Sequence, residues 1–221
     1  SNTRHKDKAD LQGIYVQMKL TEIDASGMVF HKVADEAWTG MPLPPHKDPQ
    51  PRYLSHPSTA ATLNLAATAA QCARVWKQSD APYAARCLKA AEKAWQAAKK
   101  HPDVYAYDNF VGSGPYDDTQ LDDEFYWAAA ELFTTTGKAE YKKAIQSSPY
   151  YLTAPKGDKA GTGDLYWQGV SSAGTITLAM VPNKLDKKDI EKARAAINDV
   201  AKEQGLIYVF EVNGVLYYND T

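Results

Sequence analysis

The chain has 221 residues, 44% of them hydrophobic and 24% charged. That mixture belongs to a globular protein and excludes a disordered chain, a collagen-like fibre or a small disulfide scaffold. Twenty-five Lys and Arg against 27 Asp and Glu leave a formal charge of −2, so no global field gathers nucleic acid or anionic lipid.

The N-terminal Ser1-Asn2-Thr3-Arg4-His5-Lys6 is polar and basic, without the apolar core of a signal peptide. Ser1-Asn2 has the form of an expression scar, and residues 1–8 are expected to be disordered or vector-derived. No run of about 18 apolar residues occurs, so no helix is expected to span a membrane. A long connection, Thr21–Pro57, contains Val29-Phe30-His31-Lys32-Val33, which alternates like a short strand. For His31 the default reading is a hydrogen-bonded structural histidine. His5, His46, His56 and His101 are scattered and form no cluster.

Ser58–Trp76 is apolar on nearly every face and predicts a helix buried all round. Pro82–Lys100 alternates Ala84, Cys87, Leu88, Ala91, Trp95 and Ala98 with Arg86, Lys89, Glu92, Lys93 and Lys99, an amphipathic helix. Cys72 and Cys87 fall one in each. Two buried thiols are expected, and a disulfide stays open because spacing alone does not decide it. The contrast recurs: Leu121–Phe133 is largely apolar after an acidic first turn and Lys138–Gln146 is short and amphipathic. Val170–Val181 is small and apolar, and Asp186–Gln204 is amphipathic behind an Asp186 N-cap.

Joints from buried to exposed helices are short (Gln78–Ala81, Thr134–Gly137, Pro182–Leu185). Connections into the buried helices are long (Thr21–Pro57, His101–Thr119, Ser147–Gly163), and loops of that length are usually functional. The reading is one all-α domain over 1–221, an α/α toroid of alternating inner and outer helices with its long loops at one end. A small β-hairpin is expected at Leu206–Tyr218 around Asn213-Gly214. A regular helical solenoid is the alternative, and the unequal loops argue against it.

The densest chemical cluster is Asp117, Asp118, Asp122, Asp123 and Glu124, after Gly112-Ser113-Gly114-Pro115-Tyr116. Helix capping uses one or two such groups and five repel one another, so the alternatives are a hard-cation site and a solvated acidic turn. The spacing is not that of an EF-hand. Ser55 and Ser58 lack a nucleophile-elbow context, and there is no phosphate-binding glycine loop.

Arg52-Tyr53-Leu54 followed by Pro57-Ser58-Thr59-Ala60-Ala61-Thr62-Leu63-Asn64 resembles glycoside hydrolase family 9, the inverting endoglucanases. So do Val29–Val33, Pro115-Tyr116-Asp117-Asp118 and Asp123–Leu132, in the family's order from about Asp10 onward. The resemblance is closest to the branch with an immunoglobulin-like domain before the catalytic one. It implies an (α/α)6 barrel, of which this chain corresponds to an incomplete, central part, and a parent enzyme hydrolysing β-1,4-glucan. The family's Asp-Ala-Gly-Asp base motif, His-His-Arg motif and Asn-Glu acid are absent from these residues. No catalytic residue is therefore assigned, and the chain alone is expected to be silent.

The resemblance also implies a structural Ca²⁺ at Asp118, the Gln120 carbonyl, Asp123 and Glu124, weakened because Gly169 stands where the family commonly has Asp. No organic cofactor is expected. His31, Tyr116 and Trp167 are expected to contact a β-glucan oligosaccharide or polysaccharide. Nucleic acid and membrane are not expected partners, and exposed inner-helix faces suggest a homodimer. Secretion or a periplasmic location follows from the resemblance only. A non-catalytic carbohydrate-binding or protein-interaction module on an α/α scaffold is the competing function.

Overall fold

Ser58 starts the helical part of the chain: its extended backbone and its Oγ, accepting the Ala61 N–H at 3.1 Å, cap α1 (Thr59–Trp76). The computed structural model describes residues 24–106, 112–114, 116–154, 168–203, 208–210 and 216–218. Asp80 caps α2 (Ala81–Lys100), with Pro82 in the first turn where a missing donor does no harm. Next come α3 (Asp122–Thr136), α4 (Ala139–Ser147), α5 (Ser171–Met180) and α6 (Lys187–Glu203).

α3 runs past the expected end at Phe133 through three β-branched residues. The hydroxyls of Thr134, Thr135 and Thr136 each donate to the carbonyl four residues back at 2.7 Å, which holds the last turn. Gly137, at φ 69°, then closes the helix in the left-handed conformation.

α1 packs on α2 and α3, α3 on α4 and α5, and α5 on α6. The helices thus alternate between an inner row (α1, α3, α5) and an outer one (α2, α4, α6). Fully buried Ala66, Ala67 and Ala70 on α1 and Ala128, Ala129 and Ala130 on α3 let the inner backbones approach closely. Gly174 does the same for α5, since a Cβ there would lie 2.9 Å from the Tyr126 ring. Between the rows, Trp95 meets Phe125 and Tyr141 edge-on, each at 5.7 Å.

α1 departs from its expectation. Asn64, Thr68, Gln71 and Val75 form an exposed stripe at spacings of four, three and four. The apolar run is real, yet its polar members share one face, and that face borders an open cavity instead of a neighbouring helix.

Short antiparallel ladders lie before α1. β1 (Val29–Phe30) pairs with β4 (Pro57–Ser58), and β2 (Val33–Asp35) pairs with β3 (Arg52–Leu54). The expected continuous strand is broken at His31 and Lys32, where the Ser55 hydroxyl takes the Lys32 N–H at 3.1 Å. Near the C-terminus β5 (Tyr208–Phe210) lies antiparallel to β6 (Leu216–Tyr218). The strands that bear on the site are the N-terminal ones.

A buried ionic knot ties the inner row together. Glu131 on α3 is 1% exposed. Its carboxylate pairs with Arg74 of α1 and accepts from Thr177 Oγ1 of α5 at 2.6 Å and from Trp127 Nε1 at 3.3 Å. Arg74 Nη1 also donates to the Glu131 carbonyl at 3.0 Å and to Thr135 Oγ1 at 2.7 Å. A second buried chain runs from the Leu152 N–H to the Tyr126 hydroxyl and on to Thr175, which donates to the Thr153 carbonyl.

Leaving one charge of a buried pair uncompensated costs about 3–5 kcal/mol, whereas replacing both with apolar groups is far milder. Arg74→Met alone should therefore lower the unfolding free energy by about 3 kcal/mol. Arg74→Met with Glu131→Leu should recover at least half of that. Urea denaturation of both variants, with the m-value checked for constancy, measures the difference.

Candidate functional site

The described parts of the first two long connections meet at the N-terminal ends of the inner helices, beside Gln168, which lies just before α5. Asp35 bridges to Gly112 and Ala106 to Asp118. Gly112 sits so close to the first connection that a Cβ would come within 2.4 Å of the Asp35 carbonyl oxygen. Lys32 Nζ donates to the Gly114 carbonyl at 2.7 Å, and Gln168 Nε2 donates to the Asp117 carbonyl at 2.6 Å. Loops of unequal length and separate origin thus share one surface.

His31 lies at its centre. Nε2 is 2.7 Å from the Tyr116 carbonyl oxygen and Nδ1 is 2.9 Å from Ser58 Oγ. A carbonyl only accepts, so Nε2 carries the proton. Nδ1 then accepts from the Ser58 hydroxyl, whose oxygen in turn accepts from the Ala61 N–H. This neutral tautomer fits the depressed pKa of His31, caused first by burial and opposed by the bond to Tyr116. Ser58 therefore serves two functions, helix cap and histidine orienter.

Tyr116 has φ 48° and is 52% exposed. Its ring lies over Gly114, where a Cβ would approach within 2.7 Å. His31, Lys32, Val33, Ala60, Ser113, Tyr116 and Asp118 border a cavity of about 380 Å³. A second cavity of about 440 Å³ runs from His31 and Glu124 along Asn64, Leu65 and Thr68 of α1.

Beneath this surface lie three carboxyl groups, Asp118, Asp123 and Glu124, exposed by 3%, 4% and 3%. Asp118 Oδ1 accepts the Gln120 N–H at 2.9 Å, and Asp123 Oδ2 accepts the Val170 N–H at 2.8 Å. Asp118 Oδ2, Asp123 Oδ1 and Glu124 Oε2 are buried with no donor. Burial, together with the neighbouring Asp118 and Asp123 carboxyls, pushes the Glu124 carboxyl up to about 11. Burial also raises Asp118. Glu124 is thus pushed strongly toward its protonated form. Among the described residues no group of three or more His, Cys, Asp or Glu side chains has the arrangement of a metal site. The orphaned oxygens nevertheless fit a hard cation chemically, because only a proton or a positive ion satisfies three buried acceptors with no donor.

Of the expected site residues, His31 and Tyr116 are brought together, and Asp118, Asp123 and Glu124 form a group directly under them. Gln120 contributes its N–H to Asp118 while its side chain is exposed. Trp167 lies outside the described residues. The sequence reading missed Ser58, Lys32 and the Asn64–Thr68 stripe. For the stripe, a signal was present in the polar residues recurring four and three apart.

Comparison with known proteins agrees with this geometry. The model of glycosyl hydrolase family 9 matches residues 9–219. A cellulose 1,4-beta-cellobiosidase of Acetivibrio thermocellus is 49% identical over 205 residues, covering 85% of this chain and 23% of that protein. Endoglucanase C of Cellulomonas fimi is 47% identical over 176 residues, covering 79% and 16%. The structure of a Zn-binding triple mutant of the family 9 endoglucanase J30 superimposes with a TM-score of 0.70 at 31% identity, over 80% of this chain and 32% of that one. The chain therefore spans about a quarter or less of the length of these enzymes, and about a third of the solved structure. Its inner and outer helices are those of the (α/α)6 barrel.

The His31 geometry carries a pH consequence. With the folded pKa below the unfolded one, its contribution to stability is complete above the unfolded value and is lost as pH falls through it toward the folded value. Between pH 7 and pH 5 the wild type should lose more stability than His31→Gln, compared by urea midpoint at each pH. Equal losses would mean that His31 titrates as it does in the unfolded chain.

Proposed function

Because the chain belongs to glycosyl hydrolase family 9, we propose that it forms part of a hydrolase acting on β-1,4-glucan, with its three long connections supplying one wall of the glucan-binding face. The observation that carries this reading is the convergence of Tyr116, His31 and Lys32 over an open cavity at the inner-helix N-termini. A sugar offers C–H faces to an aromatic ring and hydroxyls to polar edges, and Tyr116 presents both. Both nitrogens of His31 are already engaged, so its role is to hold the Tyr116 backbone, and the direct sugar contact falls on Tyr116.

An inverting glycosidase uses two carboxyl groups about 6.5–9.5 Å apart, one to activate water and one to protonate the leaving oxygen. Asp118, Asp123 and Glu124 do not suit those roles: they are buried and clustered, and Glu124 is pushed strongly toward its protonated form. Their place is structural. The exposed stripe Asn64, Thr68 and Gln71 is polar, which suits a water-filled cleft meeting sugar hydroxyls better than a homodimer seam. Turnover of carboxymethylcellulose by the 221-residue chain should be absent. In the full-length protein Tyr116→Ala should raise KM for cellooligosaccharides roughly tenfold, on the order of one lost stacking contact. An unchanged KM would remove Tyr116 from the glucan face.

We further propose that the carboxylate group holds Ca²⁺, through Asp118, Asp123, Glu124 and the Gln120 carbonyl, with water completing the 6–8 oxygens that the ion takes. When bound, the ion supplies positive charge that neutralises the cluster and fixes the connection before α3. Calorimetric titration of chelator-treated protein should show one site. A melting temperature about 5–10 °C higher is expected at about a hundredfold excess over Kd. Asp123→Asn should abolish both effects. No heat and no change in melting at millimolar Ca²⁺ would leave the cluster as a proton-sharing acidic group.

A further inference from the structure

Cys72 on α1 and Cys87 on α2 are not joined by a disulfide, yet their sulfurs lie 3.1 Å apart across the packed α1–α2 pair. They are unequal. Cys72 is partly exposed, while Cys87 is 9% exposed. Tyr83, one turn before Cys87, has its hydroxyl pKa raised by the two thiols, and its ring packs against Trp76 edge-on at 5.6 Å and under Arg86 at 5.3 Å. Among the described residues no histidine joins them, and the chain has no third cysteine, so no metal shell of soft ligands forms there. The arrangement has an accessible thiol, a buried partner at contact distance, and helices already packed in place.

We propose that Cys72 and Cys87 are a thiol-oxidation site that takes low-molecular-weight disulfides and closes to a reversible cross-link between the first inner and first outer helix. The Cys72 thiolate attacks one sulfur of the small disulfide, forming a mixed disulfide and releasing one thiolate, which takes up a proton. The Cys87 thiolate then attacks the Cys72 sulfur, forming the Cys72–Cys87 bond and expelling the second thiolate, which takes up the other proton. Two protein thiols are oxidised and one small disulfide is reduced to two thiols. Cys87 is held above the ordinary thiol range, first by its contact with Cys72 and then by burial. That assigns first attack to Cys72 and resolution to Cys87. The sulfurs need close by only about 1 Å to reach bonding distance, and the closed loop of about 15 residues limits the unfolded chain, so oxidation stabilises the fold.

The test incubates the protein with oxidised glutathione or with dithiothreitol and counts thiols after denaturation. Peptide mapping by mass spectrometry and melting temperature are read on the same samples. Expected are loss of both thiols in a monomer, a Cys72–Cys87 linked peptide, and a melting temperature raised by about 5–10 °C that dithiothreitol reverses. Cys87→Ala should stop at a stable glutathione adduct on Cys72, and Cys72→Ser should remain unmodified. Neither variant should show a redox-dependent melt, a comparison made within each variant and so unaffected by any loss of baseline stability. Thiols that persist in excess oxidant, a wild-type adduct that never closes, or cross-links only between molecules would each overturn the proposal.

Discussion

The contact on which the rest depends is the buried pairing of Arg74 with Glu131, completed by Thr177. A carboxylate that is almost fully buried persists only if its charge and its lone pairs are met. Glu131 meets them by drawing one donor from each neighbouring inner helix. The knot lies in the C-terminal half of all three helices, near the ends at Trp76, Thr136 and Met180, so it sets the row in register and in one direction. Three helix N-termini must then emerge at the same end. The short joints to the outer helices return the chain to that end through the long connections, which is why those connections gather there.

What gathers is electrostatically consistent. Helix N-termini carry unpaired N–H groups and a partial positive charge. The acidic first turn of α3 places Asp123 and Glu124 in that field, and the start of α5 answers Asp123 with the Val170 N–H. Yet the donors stop short of the number of oxygens. The excess acceptors lie under His31 and Tyr116, and Glu124 is pushed toward its protonated form because burial and two acidic neighbours outweigh the helix field. A site with spare oxygens and a surplus proton is suited to exchanging that proton for a cation.

Much of this was legible in the sequence. The six helices and their inner-outer alternation follow from the periodicity of the apolar residues, while the caps at Ser58, Asp80 and Gly137 emerge only in the structure. The acidic cluster was legible as a cluster, because repulsion between neighbouring carboxylates is a local matter. Longer-range features were not. Nothing local says that Arg74 finds Glu131, or that Ser58 turns from helix cap to histidine partner. These depend on contacts made 57 and 27 residues apart. The exposed stripe on α1 was misjudged because the alanines dominate the average hydrophobicity, while burial depends on which face the few polar residues share.

Native-state hydrogen exchange at the Val170 amide tests the central claim most directly. This amide bonds to Asp123 at the loop end, away from the knot, and owes its partner to the alignment of α3 and α5. In Glu131→Gln under folding conditions, it should exchange at least tenfold faster relative to amides inside α2, whose bonds are local. If Val170 keeps its wild-type protection while the pairing with Arg74 is broken, the loop end is organised without the knot and the account is wrong.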